Sequence, residues 1–370
     1  MLGLSPKSLT TGFKLPASLI KRSKSDLIVR RATREPIISQ GPVGRQAWNG
    51  QTATVFGCTG FLGRYVVSAL ATQGTRVIIP YRGISENTRH LKPSGDLGMV
   101  IPMEFDIRNS TQVEEVMKHS DVVINLIGRN YETKNFTLEM VNIDAPARIA
   151  EIAQNVGVAR FIHVSSLCAD PDSKSAVYST KGKAENYLKA NYPDTTIVRP
   201  ATMFGYEDQL LNNIGYWKDS YLTVNGASNK LRPVDVDDVA KAINAIVQNE
   251  WTMGKVFELY NPNEYTQKDI IDMVSLLLFQ KVNAIDVPKN LLRLAGKAID
   301  ILPFHYSSHH EVDMMGTSEI PSRDPEVYTF ADLGINPNPL ETNALKYIRH
   351  YRKFEIESLP MEVSSKAFRK

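Results

Sequence analysis

The stretch VFGCTGFLGR, residues 55–64, constrains this chain more than any other. Its glycines, Gly57, Gly60 and Gly63, follow a short β-rich run, TATVF (52–56), and open a helical run, GRYVVSALATQG, that Gly74 closes. Gly57 permits a tight exit from the strand, Gly60 lets the backbone approach a pyrophosphate, and Gly63 lets the helix sit close to the sheet. The free N–H groups at the start of that helix then face the phosphates. Spaced glycines alone are weak evidence, but here strand, loop, helix and next strand all fall in place. The candidate phosphate-facing residues are Gly57, Thr59, Gly60, Phe61, Leu62 and Gly63.

The pattern continues. RVIIPYR (76–82) and VIPMEFDI (100–107) read as strands, and helix STQVEEVMKHS leads to strand DVVINLIG (121–128). Helix LEMVNIDAPARIAEIAQNVGV leads to strand RFIHVSS (160–166), and helix KGKAENYLKANY to strand TTIVRPATMFG (195–205). Strands alternating with helices indicate a parallel sheet with helices on both faces. After about residue 206 the alternation loosens. The expected fold is therefore α/β, a Rossmann-type doubly wound parallel sheet with a smaller C-terminal mixed α/β region. Its divisions are a leader and linker over 1–40, a dinucleotide domain over 50–205 and the smaller region over 206–370. The smaller region is expected over the carboxyl edge of the sheet, where such folds bind ligands.

The charge is unevenly placed. Residues 1–34 carry eight basic groups and one acid; without them, 43 basic and 40 acidic groups become 35 and 39. The body is thus slightly acidic and implies no nucleic-acid surface. A basic, acid-poor leader with Ser, Thr and leucines reads as a mitochondrial transit peptide, the alternative being an ordinary basic arm. No apolar run approaches the roughly 18 residues of a membrane-spanning helix. Cys58 and Cys168 make neither a disulfide framework nor a zinc cluster, and read as small buried packers.

The end of the second strand selects the nucleotide. A carboxylate usually binds the ribose hydroxyls of NAD there. This chain has Pro80, Tyr81 and Arg82 instead. A guanidinium at that point pairs with a 2′-phosphate, with Arg64 beside the loop as a helper, so NADP(H) is favoured over NAD(H).

These motifs, with FDIRN, NLIG, VNIDAPARIAEIA, FIHVSS and IVRPATMFG, make the chain resemble the extended and atypical short-chain dehydrogenase/reductases from residue 52 to about 260. The resemblance implies that Asp106 and Ile107 flank the adenine, that Leu126, Ile127 and Gly128 line the cofactor, and that Pro200 lies near the nicotinamide. It also calls for a Tyr-x-x-x-Lys pair and a Ser or Thr. Ser165 and Ser166 fall in the serine stretch, and Lys181 is the lysine, because Glu185 then keeps the family's spacing. Four residues before Lys181 stands Val177, not tyrosine. Tyr178 is one place late, and a one-residue step on a helix turns a side chain by about 100°. The expectation is a cofactor site kept and catalysis lost, with no catalytic residue assigned; an irregular helix start would let Tyr178 reach the site.

GRQAWNGQTATVFGCTGFLGRYVV, MFGYEDQLLNNI and FADLGINPNPLETNALKYIRHYR further resemble the short-chain-dehydrogenase-like accessory subunits of mitochondrial NADH:ubiquinone oxidoreductase, respiratory complex I. That resemblance implies a tightly held NADPH, other complex I subunits as partners, and a peripheral place on the matrix side of the inner membrane. An active NADPH-dependent reductase or epimerase and a redox-sensing regulator stay open as alternatives. KNLLRLAGKAIDILPF (289–304) reads either as a basic amphipathic helix on an anionic membrane surface or as a core helix with a solvated face. His309 and His310 read as loop residues rather than metal ligands.

Overall fold

The computed structural model describes residues 44–300, 308–322, 324 and 326–352. The expected leader over 1–40 and the end of the amphipathic stretch, 301–304, lie outside the described residues.

The glycine turn begins the fold as its sequence requires. Strand β1 (Thr52–Phe56) is buried throughout, and after the turn helix α1 (Phe61–Thr72) lays Val66, Val67 and Leu70 into the core. Then come β2 (Arg76–Tyr81), β3 (Val100–Glu104), α2 (Ser110–Met117), β4 (Val122–Asn125), α3 (Ala145–Val156), β5 (Arg160–Val164), α4 (Ala176–Asn191) and β6 (Thr196–Pro200). The third strand stops at Glu104, short of Ile107, because Asn109 caps α2 by accepting from the Thr111 and Gln112 N–H groups. A π-helical turn, Met140–Asp144, runs directly into α3, whose second residue is Pro146.

The strands form one parallel sheet. Two later strands, Val256–Leu259 and Val327–Tyr328, extend it in that order beyond β6; then follow β5, β4, β1, β2 and β3. The order reverses at β1, which pairs with β4 on one side and β2 on the other. Such a switch point opens a crevice at the carboxyl end, and the glycine loop stands in it.

The sheet does not end at residue 205. Strand Val256–Leu259 pairs with β6, and helix Val236–Gln248 covers α1's face of the sheet with Val236, Val239, Ile243 and Ile246. The apolar surface that the first six strands leave open is closed by later chain, so the two regions interleave in sequence. A separate smaller core joins Phe204, Leu211, Ile214, Ile270, Val274, Leu277 and Tyr347. Tyr347 is fully buried on the tail helix Leu340–Ile348, and its hydroxyl donates to Asp235 at 3.0 Å, satisfying a phenol that burial would otherwise penalise. A buried ion cluster links α4, β6 and the strand beside it: Arg199 meets Glu185 at 2.6 Å and Glu258 at 3.1 Å. Removing one member of such a cluster costs about 3–5 kcal/mol.

Candidate functional site

The three glycines differ in what surrounds them. Gly57 has φ +82°, a conformation L side chains rarely adopt, and a Cβ there would lie 3.0 Å from the Leu126 backbone. A Cβ on Gly63 would meet the Gly57 carbonyl oxygen at 2.3 Å and the Cys58 Cα at 2.7 Å, so α1 rests directly on the loop. Gly60 meets only the Gly57 oxygen, at 3.2 Å, and stands as the N-cap of α1 with no side-chain cap. The first turn of α1 holds no acid, leaving N–H groups and positive helix-end potential open to an anion. The residues thus fit a dinucleotide's pyrophosphate. A second fit is the Ser165 Oγ, buried without a hydrogen-bond partner among the described residues.

Two chambers meet at this loop. Both are lined by Gly57, Gly60, Leu126, Ile127 and Gly128. Asn125 fixes the 126–128 stretch by accepting from the Ile127 N–H at 3.0 Å, while its amide faces the buried His163 Nδ1 at 3.2 Å. Burial, and then the Lys181 charge, push His163 down to about 3, so it is a neutral acceptor.

The chamber on the β2 side holds about 280 Å³ and is lined also by Thr59, Tyr81, Arg82, Ile107, Arg129 and Phe136. The larger chamber on the β5–β6 side, about 440 Å³, takes in Phe61, Leu62, Gly63, Ser165, Ser166, Tyr178, Lys181 and Pro200. The fold thereby gathers along one cavity every candidate residue except Asp106 and the helper Arg64. The Asp106 carboxylate is gripped by Arg108 through two guanidinium nitrogens, at 2.6 and 3.1 Å, which holds it down at about 2. The cause is local: the carboxylate and the arginine stand two residues apart in one turn.

Arg64 also departs from expectation. Its guanidinium pairs with Glu207 at 2.9 Å, on the β6-side chamber and away from Arg82. Tyr178 departs in the other direction. Val177 is fully buried in packed surroundings, but Tyr178 does line the chamber with Lys181. Residues three apart on a helix lie only about 60° apart around its axis, so the shift of one place does not remove the phenol from Lys181's face. Burial, with the nearby Cys168 and Glu319, pushes that phenol well above its usual range. Burial lowers Lys181, with Glu185 opposing.

Residues from far along the chain complete the larger chamber. Glu319 accepts from the Thr202 N–H at 2.6 Å and the Arg232 N–H at 2.7 Å, pinning the 315–320 segment beside Met314 over the cavity. Nothing local in the sequence marks that closure. Cys58 is a buried packer whose thiol donates to the Pro80 oxygen at 3.3 Å, while Cys168 is half-buried; burial pushes both up to about 12. His309 pairs with Asp300, and no group of three His, Cys, Asp or Glu fit for a metal occurs among the described residues.

A doubly wound sheet with a glycine loop at its switch point defines a dinucleotide-binding protein of the dehydrogenase and epimerase kind. The chain belongs to the NAD dependent epimerase/dehydratase family, whose model matches residues 53–259. The fold is shared with dTDP-glucose 4,6-dehydratase from Bacillus anthracis, solved in complex with NAD, at TM-score 0.60 and 14% identity, covering 81% of this chain and 96% of that one. Within the family it is similar to the mitochondrial NADH-ubiquinone oxidoreductase 40 kDa subunit of Neurospora crassa, 43% identical over 92% of this chain and 89% of that protein. It is likewise similar to NADH dehydrogenase [ubiquinone] 1 alpha subcomplex subunit 9 of Rattus norvegicus, 35% identical over 91% of this chain and 90% of that protein.

Proposed function

We propose that this chain is an accessory subunit of mitochondrial NADH:ubiquinone oxidoreductase that holds NADPH as a structural group, on the matrix side of the inner membrane. The observation that carries the cofactor reading is the β2-side chamber, whose lining contains no acid and whose charged residues are arginines. There Arg82 would take the 2′-phosphate, the 57–63 loop the pyrophosphate, and Leu126 to Gly128 the body of the nucleotide. Lys181 and Ser165 would hold the ribose and amide end, against Pro200. NADPH would supply a hydride donor at that end. The chain's own residues there bind and enclose: Glu319 and Met314 cover the chamber, and Val177 replaces the usual proton-donating phenol.

The deciding experiment is to purify the native protein, separate it by size, and identify its extracted nucleotide. Elution with an assembly many times its own mass, carrying NADPH in near-stoichiometric amount, is expected. A free protein carrying NAD would refute both halves of the reading. One observation favours a second reading, carbonyl reduction: Tyr178 shares the chamber with Lys181 and the serines.

Membrane contact belongs to the same proposal. Helix Lys289–Ile299 exposes Leu291 and Leu294, while Arg293 is paired with Asp313 and Lys289 donates to the Asp313 and Met315 carbonyls. Among the described residues no helix is long and apolar enough to cross a membrane. A surface helix with an exposed apolar stripe suits an interfacial position. Sedimentation with cardiolipin-containing vesicles, lost in Leu294→Glu, is the check.

A further inference from the structure

The β2-side chamber holds one cation that neither the glycine loop nor the end of β2 explains. Arg129 follows Gly128 beyond the end of β4, and it lines this chamber together with Arg82. Because β1 lies between β4 and β2 in the sheet, the two arginines follow the strands on either side of the one that carries the glycine loop. Neither forms a salt bridge among the described residues: Arg82 lies 5.5 Å from the centre of the Phe136 ring, with Asp106 near enough to feel its charge, and Arg129 lies 5.2 Å from the centre of the Tyr131 ring. The neighbouring Arg108 pairs with Asp106.

The backbone of Arg129 is held firmly. Its N–H donates to the Asn142 Oδ1 at 3.2 Å, and its carbonyl accepts from the Asn142 Nδ2 at the same distance. Asn142 is buried and donates in turn to Thr180 on α4. Two like charges facing one acid-free chamber repel each other until an anion enters between them. A single 2′-phosphate accounts for the arginine at the end of β2 only. We infer that Arg129 is a second anion-binding residue of this cavity, clamping the pyrophosphate from the β4 side while the loop N–H groups hold it from the β1 side. The inference rests on the proposed dinucleotide reading and adds a residue that makes binding of either nucleotide tighter.

The test compares Arg129→Met with Arg82→Met in the full chain stripped of nucleotide, titrated with NADPH and separately with NADH by nucleotide fluorescence. Arg129→Met should raise the Kd for both nucleotides by on the order of tenfold or more, as expected for loss of a charge-assisted hydrogen bond. Arg129→Lys should recover part of the loss, and melting of the stripped protein should not move. Arg82→Met should raise the Kd for NADPH alone. If Arg129→Met changed neither affinity while Arg82→Met still cost NADPH binding, the clamp would be refuted and the NADPH reading would stand. If it weakened NADPH alone, Arg129 would serve the 2′-phosphate and the pyrophosphate assignment would fall. If Arg82→Met cost nothing, the NADPH reading would fail, and the two-nucleotide response of Arg129→Met would still decide the clamp.

Discussion

The two chambers of the cavity are built from different parts of the chain. The β2 side is walled by short-range structure: the glycine loop, the end of β2, and the residues just past β4. Its charges are all positive, which suits a ligand with several phosphates. The β6 side is assembled from distant pieces, including Glu207 and Glu319, and its key lysine is embedded beside a displaced phenol. On the proposed reading the first chamber supplies the nucleotide's anion contacts. The second keeps a cover and a lysine but alters the proton donor. On the proposed reading, the difference teaches that binding and chemistry would occupy separable parts of one cavity, so that a chain of this family could retain the first without the second.

The comparison breaks most completely at the loop that both chambers share. Gly63→Ala would put a methyl 2.3 Å from one backbone atom and 2.7 Å from another, neither of which can swing away. Overpacking of this kind costs about 1–3 kcal/mol or more, a large share of a marginal stability. Poor soluble yield and a lowered melting temperature are expected whether or not nucleotide is present. Gly60→Ala is the control: its methyl meets only one oxygen, at 3.2 Å, so the chain should fold while nucleotide content falls.

Next in size is the charge at the end of β2. Arg82→Asp should weaken NADPH binding by on the order of a few kcal/mol, since it replaces a charge-assisted contact with repulsion. An unchanged NADPH affinity would remove the 2′-phosphate from Arg82. The larger chamber should be indifferent to this substitution, so thermal stability without nucleotide should hold.

A smaller effect separates the chambers by pH. His163 supports the shared 126–128 wall through Asn125, and it is held near 3 in the fold against an ordinary 6.5. Its folded value is depressed, so the neutral form's contribution is fully present above 6.5 and is lost as pH falls toward 3. Stability should decline across that window, and His163→Gln should flatten the decline when melting is followed against pH. An identical decline in the variant would show that other groups govern it.

How much of this was legible in the sequence follows from the range of each contact. The glycine loop and the place of Arg82 in the cavity are readable because both belong to one strand–turn–helix–strand unit. Asp106 carries an ion pair to Arg108, two residues on, that the motif alone does not show. Arg64 was misplaced because Glu207, 143 residues away, takes its charge. The run KVFELY is locally legible as the strand Val256–Leu259, but its place beside β6, the last strand and the Glu319 clamp are long-range events that no local pattern announces. Tyr178 lines the chamber with Lys181, because residues three apart share a helix face, which a rotation counted from Val177 does not show.

That last point makes the smallest predicted effect the most informative. Tyr178 lines the larger chamber, yet burial pushes its phenol well above its usual range, with Cys168 and Glu319 raising it further. A proton donor works best with a pKa near the operating pH, so this phenol is poorly matched to general acid work. The contacts assigned to the nucleotide run through the 57–63 loop, Arg82, Leu126 to Gly128 and Lys181, and none needs the hydroxyl. Tyr178→Phe should therefore leave nucleotide content, melting temperature and the respiratory activity of the assembled complex unchanged. Val177→Tyr does not restore the usual pair, because position 177 is fully buried and a ring there would overpack the core. The measurement is NADPH consumption by the purified protein against a panel of carbonyl compounds, wild type beside Tyr178→Phe. Consumption by wild type that falls by about 10²–10⁴-fold in the variant, the usual worth of general acid catalysis, would reverse the contrast between the chambers and make the reductase reading the correct one.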